Sequence, residues 1–89
     1  MKPWTIEFTD NARKQLKKLD RREIIRITSF LKERVEKHPS PCEMAKRLRG
    51  ELGDYWRFRV GDHRIICEIQ ENILLITVIQ IGHRRQIYT

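Results

Sequence analysis

The stretch Trp56-Arg57-Phe58-Arg59-Val60-Gly61-Asp62-His63-Arg64-Ile65-Ile66-Cys67 reads as a β-hairpin. Gly61-Asp62 supplies a two-residue loop with glycine at its first position, as a type II′ turn requires. Val60 and His63 then close the loop, Arg59 faces Arg64, and Phe58 faces Ile65. Strand alternation puts Arg57 on the Arg59 face and collects Trp56, Phe58, Ile65 and Cys67 on the other. That the apolar residues fall together supports the register. Its consequence is two arginines directly opposite, roughly 4.5–5.5 Å apart at Cβ, with a third diagonal to them. Like charges so placed destabilise a sheet, and a local rule broken without visible compensation points to a functional site. The natural compensator is a polyanion. The plain alternative is an ordinary solvated sheet face.

Working outward, Trp4-Thr5-Ile6-Glu7-Phe8 alternates apolar and polar residues and is predicted to be a first strand. Thr9 or Asp10 caps a helix with Ala12, Leu16 and Leu19 on its apolar face. Asp20 interrupts it and is placed to cap a second helix, whose stripe Ile24, Ile27, Leu31, Val35 runs to about Lys37. So short a break predicts an antiparallel helical hairpin. Pro39 and Pro41 end the helical region, and Glu43 to Arg49 is expected to make a brief helical turn before Gly50. Glu71-Asn72 is a second turn, and the apolar run Ile73 to Ile81 predicts a central strand buried on both faces. The fold class expected is α+β in the order β-α-α-β-β-β. A helical hairpin packs on one face of a small, mostly antiparallel sheet.

With 89 residues the chain is expected to be a single domain over 1–89. Nineteen Lys and Arg against twelve Asp and Glu give a net charge of +7, with a pI near 9.9. That balance favours nucleic acid, an acidic protein or an anionic surface as partner. Cys42 and Cys67 are too far apart in sequence for a zinc motif, and Cys67 alternates onto the apolar hairpin face as a core residue. Met1-Lys2-Pro3-Trp4 leads straight into a strand and no apolar run approaches about 18 residues, so a cytoplasmic location without membrane association is expected. His63, beside the turn, is expected to be solvent-exposed, and Lys14, Lys17 and Lys18 with Arg21 and Arg22 form a basic run on the helical hairpin.

The element order, together with Leu48-Arg49-Gly50, the Trp56–Arg64 hairpin and Gly82-His83-Arg84-Arg85-Gln86-Ile87-Tyr88, resembles the RelE/ParE toxin superfamily, most nearly its RelE branch. The likeness covers essentially the whole chain, and its specific part is the C-terminal half. It implies a RelE-like fold and the toxin of a type II toxin–antitoxin system. Such a toxin is a ribosome-dependent endoribonuclease, an mRNA interferase that cuts translated mRNA in the A site with no metal and no cofactor. The implied partners are an acidic RelB-like antitoxin, the ribosome with its message, and operator DNA reached through the antitoxin. The family's cationic positions on the hairpin fall on Arg57, Arg59 and Arg64, its later arginine on Arg84 and its C-terminal tyrosine on Tyr88. The best-known members carry lysines where this chain has Arg57 and Arg59, and continue into a further helix beyond the position of Tyr88.

On that resemblance, Arg59, Arg64 and Arg84 are expected to clamp the scissile phosphate, since planar guanidinium forks stabilise charge growing on its oxygens. Arg57 is expected to hold a flanking phosphate or a ribosomal RNA backbone, Arg85 a phosphate of the RNA, and Lys14, Lys17 and Lys18 to meet ribosomal RNA in a salt-dependent way. Arginine is a poor general base. The proton steps are left to His83 as base, to Tyr88 as donor to the leaving oxygen or as a stacking ring, or to no side chain at all, with the ribosome orienting the message. Two other functions fit the same fold: a ParE-type inhibitor of DNA gyrase, and a non-catalytic nucleic-acid-binding co-repressor.

Overall fold

The computed structural model describes residues 3–48 and 55–83. Strand β1 (Thr5–Phe8) leads into helix α1 (Asp10–Lys17), and helix α2 (Arg21–Ser29) follows after a short turn. The Thr9 hydroxyl accepts from the Ala12 N–H at 3.1 Å, a side-chain cap on α1. Asp20 occupies the equivalent position for α2 without a capping side-chain bond. Beyond Ser29 the helix widens into a π-helical stretch, Phe30–Val35, in which the Glu36 N–H donates to the Leu31 carbonyl at 2.8 Å. The sequence contains the reason. Ile27, Leu31 and Val35 repeat every four residues, which lags the 3.6-residue α turn, and a wider turn keeps all three on the core side.

The strands form one sheet in the order β1-β5-β4-β3-β2, comprising β2 (Lys46–Arg47), β3 (Trp56–Val60), β4 (His63–Gln70) and β5 (Leu75–His83) with β1. β1 runs parallel to β5 and every other pair is antiparallel. The helices cover one face, the predicted α+β arrangement with one strand added. Where a helical turn over Glu43–Arg49 was expected, the turn is a 3₁₀ turn at Pro41–Met44, and Lys46–Arg47 pair with β3 instead. The prolines explain the shift, because Pro41 suits the first position of a helical turn and none further in.

The hairpin has the register its turn demands. Gly61 has φ +60°, and Trp56, Phe58, Arg59 and Val60 stand opposite Cys67, Ile65, Arg64 and His63. Phe58, Ile65 and Cys67 are fully buried with Ile27, Val35, Ile76 and Val78, forming the core between sheet and helices. Ile73 lies in the 3₁₀ turn Glu71–Ile73 and is more than half exposed, so the last strand starts later than the apolar run suggests.

β5 is central, but not uniformly buried. Opposite Ile66 and Cys67 stand Gln80 and Val78, leaving Ile79 as a bulge. β1 accompanies β5 only as far as Val78, and α1 covers the edge beyond it. The Val78 carbonyl accepts from the Thr9 N–H at 3.0 Å, and the Gln15 Oε1 accepts from the Ile81 N–H at 2.7 Å. Backbone groups that a strand would have paired are thereby satisfied by a helix.

Two expected outcomes follow from the hairpin. Gly61→Ala places a side chain where φ is positive, with its Cβ 2.9 Å from Arg26 Nη1. It is expected to destabilise the fold by about 1 kcal/mol in urea denaturation, and Gly61→Asn by less. Arg59→Glu replaces a like-charged cross-strand pair with an opposite one. It is expected to raise stability by about 0.5 kcal/mol at low salt, a gain that fades as salt is added. A loss of stability at low salt would show that Arg59 and Arg64 do not repel in the folded chain.

Candidate phosphate-binding face

The sheet face turned away from the helices carries Arg57 and Arg59 from β3 and Arg64 from β4, as strand alternation requires. Arg59 and Arg64 are direct cross-strand partners, Arg59 exposed and Arg64 half-buried. The Nε of Arg64 is buried and has no hydrogen-bond partner among the described residues. A buried donor left unpaired costs about 1–3 kcal/mol, a cost that an acceptor approaching this face would offset. Gly82 stands opposite Arg64 on β5 and adds no side chain there, as suits a place that something else approaches.

β2 adds a cation that the sequence reading missed. Lys46 is the partner of Arg57 and therefore shares the arginine face, diagonal to Arg59. It is exposed, and is the one amine on this face among the described residues. Two strand residues after two prolines are too short a signal to find from sequence. Beside the cations lies a small apolar strip, Leu48 and Ile66 buried with Tyr55 and Ile79 against them.

The other expected residues divide. Arg84, Arg85 and Tyr88 lie outside the described residues, as does Arg49. His83 does not join the arginines. It pairs with His63, and the two rings meet edge-on at 6.1 Å on the helix side of the sheet. His63 is there too, contrary to the expectation of exposure: its side chain is 12% exposed, with Nδ1 3.3 Å from Glu23 Oε2 on α2. The register contains the reason, because His63 faces Val60, and Val60 is a core residue. Lys14 and Lys17 are exposed on α1 and Lys18 just after it, all in the helical layer behind the arginine face. A cleft of about 380 Å³ between the end of α1 and the ends of β4 and β5 brings Lys18 near His83, away from the arginines.

Neither cysteine offers a reactive thiolate. Burial pushes the Cys67 thiol well above its ordinary range. Cys42 is raised by burial first and by Glu71 second, with Arg47 opposing. Arg47 sits 5.8 Å over the Trp56 ring, on the opposite face from Lys46. Among the described residues no three His, Cys, Asp or Glu side chains gather as a metal site would require. No helix among them is long and apolar enough to cross a membrane.

Comparison with known proteins gives the family and bears out the fold. The sequence model of the family described as "ParE toxin of type II toxin-antitoxin system, parDE" matches residues 6–88. Toxin RelG of Mycobacterium tuberculosis is 29% identical over 86 residues, covering 97% of each chain. Among solved structures, the toxin–antitoxin complex RelBE2 of M. tuberculosis contains a chain similar to this one at TM-score 0.84 and 28% identity, with 92% of this chain and 99% of that one covered. The archaeal RelE–RelB complex of Pyrococcus horikoshii gives TM-score 0.75 at 24% identity over 97% of this chain and 99% of its own, a likeness of fold. A family match over nearly the whole length, on a chain with this sheet order and this hairpin, shows that the protein belongs to the ParE toxin family of type II toxin–antitoxin systems, within the RelE/ParE superfamily.

Proposed function

We propose that this toxin is a cytoplasmic endoribonuclease that cuts mRNA in the ribosomal A site, with the scissile phosphate bound by Arg59 and Arg64. The observation that carries the reading is the pair itself: two guanidinium groups held opposite one another, one with a buried unpaired Nε. A phosphodiester relieves both the repulsion and the missing hydrogen bond. In the reaction the 2′-oxygen bonds to phosphorus as the P–O5′ bond breaks, leaving a 2′,3′-cyclic phosphate and a 5′-hydroxyl. Negative charge grows on the non-bridging oxygens, where pre-placed guanidinium groups act without reorganising. Arg84 is proposed to complete the clamp, with Arg57, Lys46 and Arg85 on neighbouring phosphates.

The 2′-hydroxyl proton is assigned to solvent rather than to His83, whose ring stands behind the sheet. Tyr88 is proposed to donate to the leaving 5′-oxygen. Lys14, Lys17 and Lys18, on the opposite surface, are proposed to meet ribosomal RNA. An acidic antitoxin that covers the arginine face would silence the enzyme by supplying the carboxylates that phosphate otherwise replaces. Complexes with RelB antitoxins among the similar structures support such a partner, and operator DNA would be reached through it.

A second reading, inhibition of DNA gyrase, is favoured by the family description that names ParE. Primer extension on a defined message in a purified translation system separates the two. Cuts within A-site codons that require ribosomes are expected from the wild type. Arg64→Ala is expected to reduce them at least a hundredfold, on the scale of removing one transition-state donor. No cleavage by folded wild type, with loss of supercoiling by purified gyrase, would transfer the assignment to the second reading.

A further inference from the structure

The cationic surface does not stop at the sheet. β2 pairs only with Trp56 and Arg57, so from Phe58 to Val60 the outer edge of β3 is not covered by a strand of the described chain. Between that edge and the second helix lies an open groove of about 400 Å³, bordered by Arg26, Phe30, Glu33 and Arg34 on the helix side and by Arg59 and Gly61 on the hairpin side. Arg26 reaches the bare backbone of the turn, its Nη1 2.9 Å from where a Cβ on Gly61 would lie. The Arg34 guanidinium sits 5.8 Å over the Phe30 ring, and Phe30 is set edge-on against buried Phe58 at 5.9 Å. Arg34 and Phe30 belong to the π-helical stretch, a local geometry found at functional sites more often than its rarity predicts. Three arginines, Arg26, Arg34 and Arg59, thus border the opening with one acidic residue, Glu33, and none of the three forms an ion pair among the described residues.

We propose that this groove is a second phosphate site. It takes the backbone of the nucleotide flanking the cleavage point, so that single-stranded RNA passes from the arginine face around the β3 edge. The inference rests on the endoribonuclease reading and adds the path of its substrate. Arg59 is common to both places, which is what a ligand with successive charges along one backbone requires. Arg59 links the groove to the face proposed for the scissile phosphate, and the evenly repeated charges of one RNA backbone fit both places in succession. Guanidinium forks on Arg26 and Arg34 present paired donors to phosphate oxygens. Gly61 leaves Arg26 the room to do so.

The test measures binding apart from cleavage. A fluorescent single-stranded RNA oligonucleotide with one 2′-deoxy position at the cleavage site is titrated with the protein at several salt concentrations. The Arg26→Ala/Arg34→Ala double variant is expected to weaken binding equally for unrelated sequences. The slope of log K against log salt is expected to fall by about 0.7, the amount for one phosphate contact on a single strand. Arg26→Lys/Arg34→Lys, which keeps the charges, is expected to restore the slope, while Arg13→Ala on α1 leaves it at the wild-type value. An unchanged slope in the folded alanine double variant overturns the proposal, and so does a variant that loses antitoxin affinity while binding RNA normally. Cleavage on ribosomes is scored separately. An unchanged slope with cleavage intact removes the groove alone, whereas a reduced slope in a protein that never cleaves removes the enzymatic reading and leaves the groove.

Discussion

The positive φ at Gly61 sets the register of the hairpin, and the rest of the molecule depends on that register. A slip of one residue would turn Arg57, Arg59 and Arg64 toward the helices and put Phe58 and Ile65 in solvent. With the turn in place, the apolar side chains meet the helical layer and the cations are left together on the open face. β5 then lies against β4 with its bulge at Ile79, and α1 closes the edge that β1 leaves uncovered.

The magnitudes show why a sheet can hold two arginines opposite each other. The unfavourable cross-strand pair, one residue exposed and one half-buried, is worth at most about 1 kcal/mol. On the reverse side of the same two strands, Phe58 and Ile65 are fully buried, and each contributes roughly 1.5–3 kcal/mol by leaving water. Core burial therefore favours the same register as the turn, and its contribution outweighs the repulsion of the charges placed on the other face. A repulsion so small beside the core's contribution can be kept for use with a ligand that reverses its sign.

Much of this was legible in the sequence because turn chemistry and strand alternation act locally. Gly61-Asp62 and the residues on either side are enough to place Arg59 opposite Arg64, and the buried state of Cys67 and Phe58 follows from the same alternation. His63 was legible too, since its pairing with Val60 puts it on the core side, but proximity to the turn suggested solvent. Other features depend on contacts distant in sequence. Lys46 reaches the arginine face through two residues of edge strand, and His83 is turned behind the sheet by the bulge two strands away from Arg59. The π-helical stretch left a faint trace in the four-residue spacing of Ile27, Leu31 and Val35, which an α-helical template absorbs without complaint.

A phosphodiester is expected to bind the face bearing Arg59 and Arg64. NMR of arginine-labelled protein, titrated with a short RNA blocked against cleavage by a 2′-deoxy position, tests it most directly. The Nε–H resonance of Arg64, buried and unpaired among the described residues, is expected to show the largest change, with Arg59 moving alongside it. Shifts confined to Arg13, Arg21 and Arg22 in the helical layer, with Arg59 and Arg64 unmoved, would contradict the account.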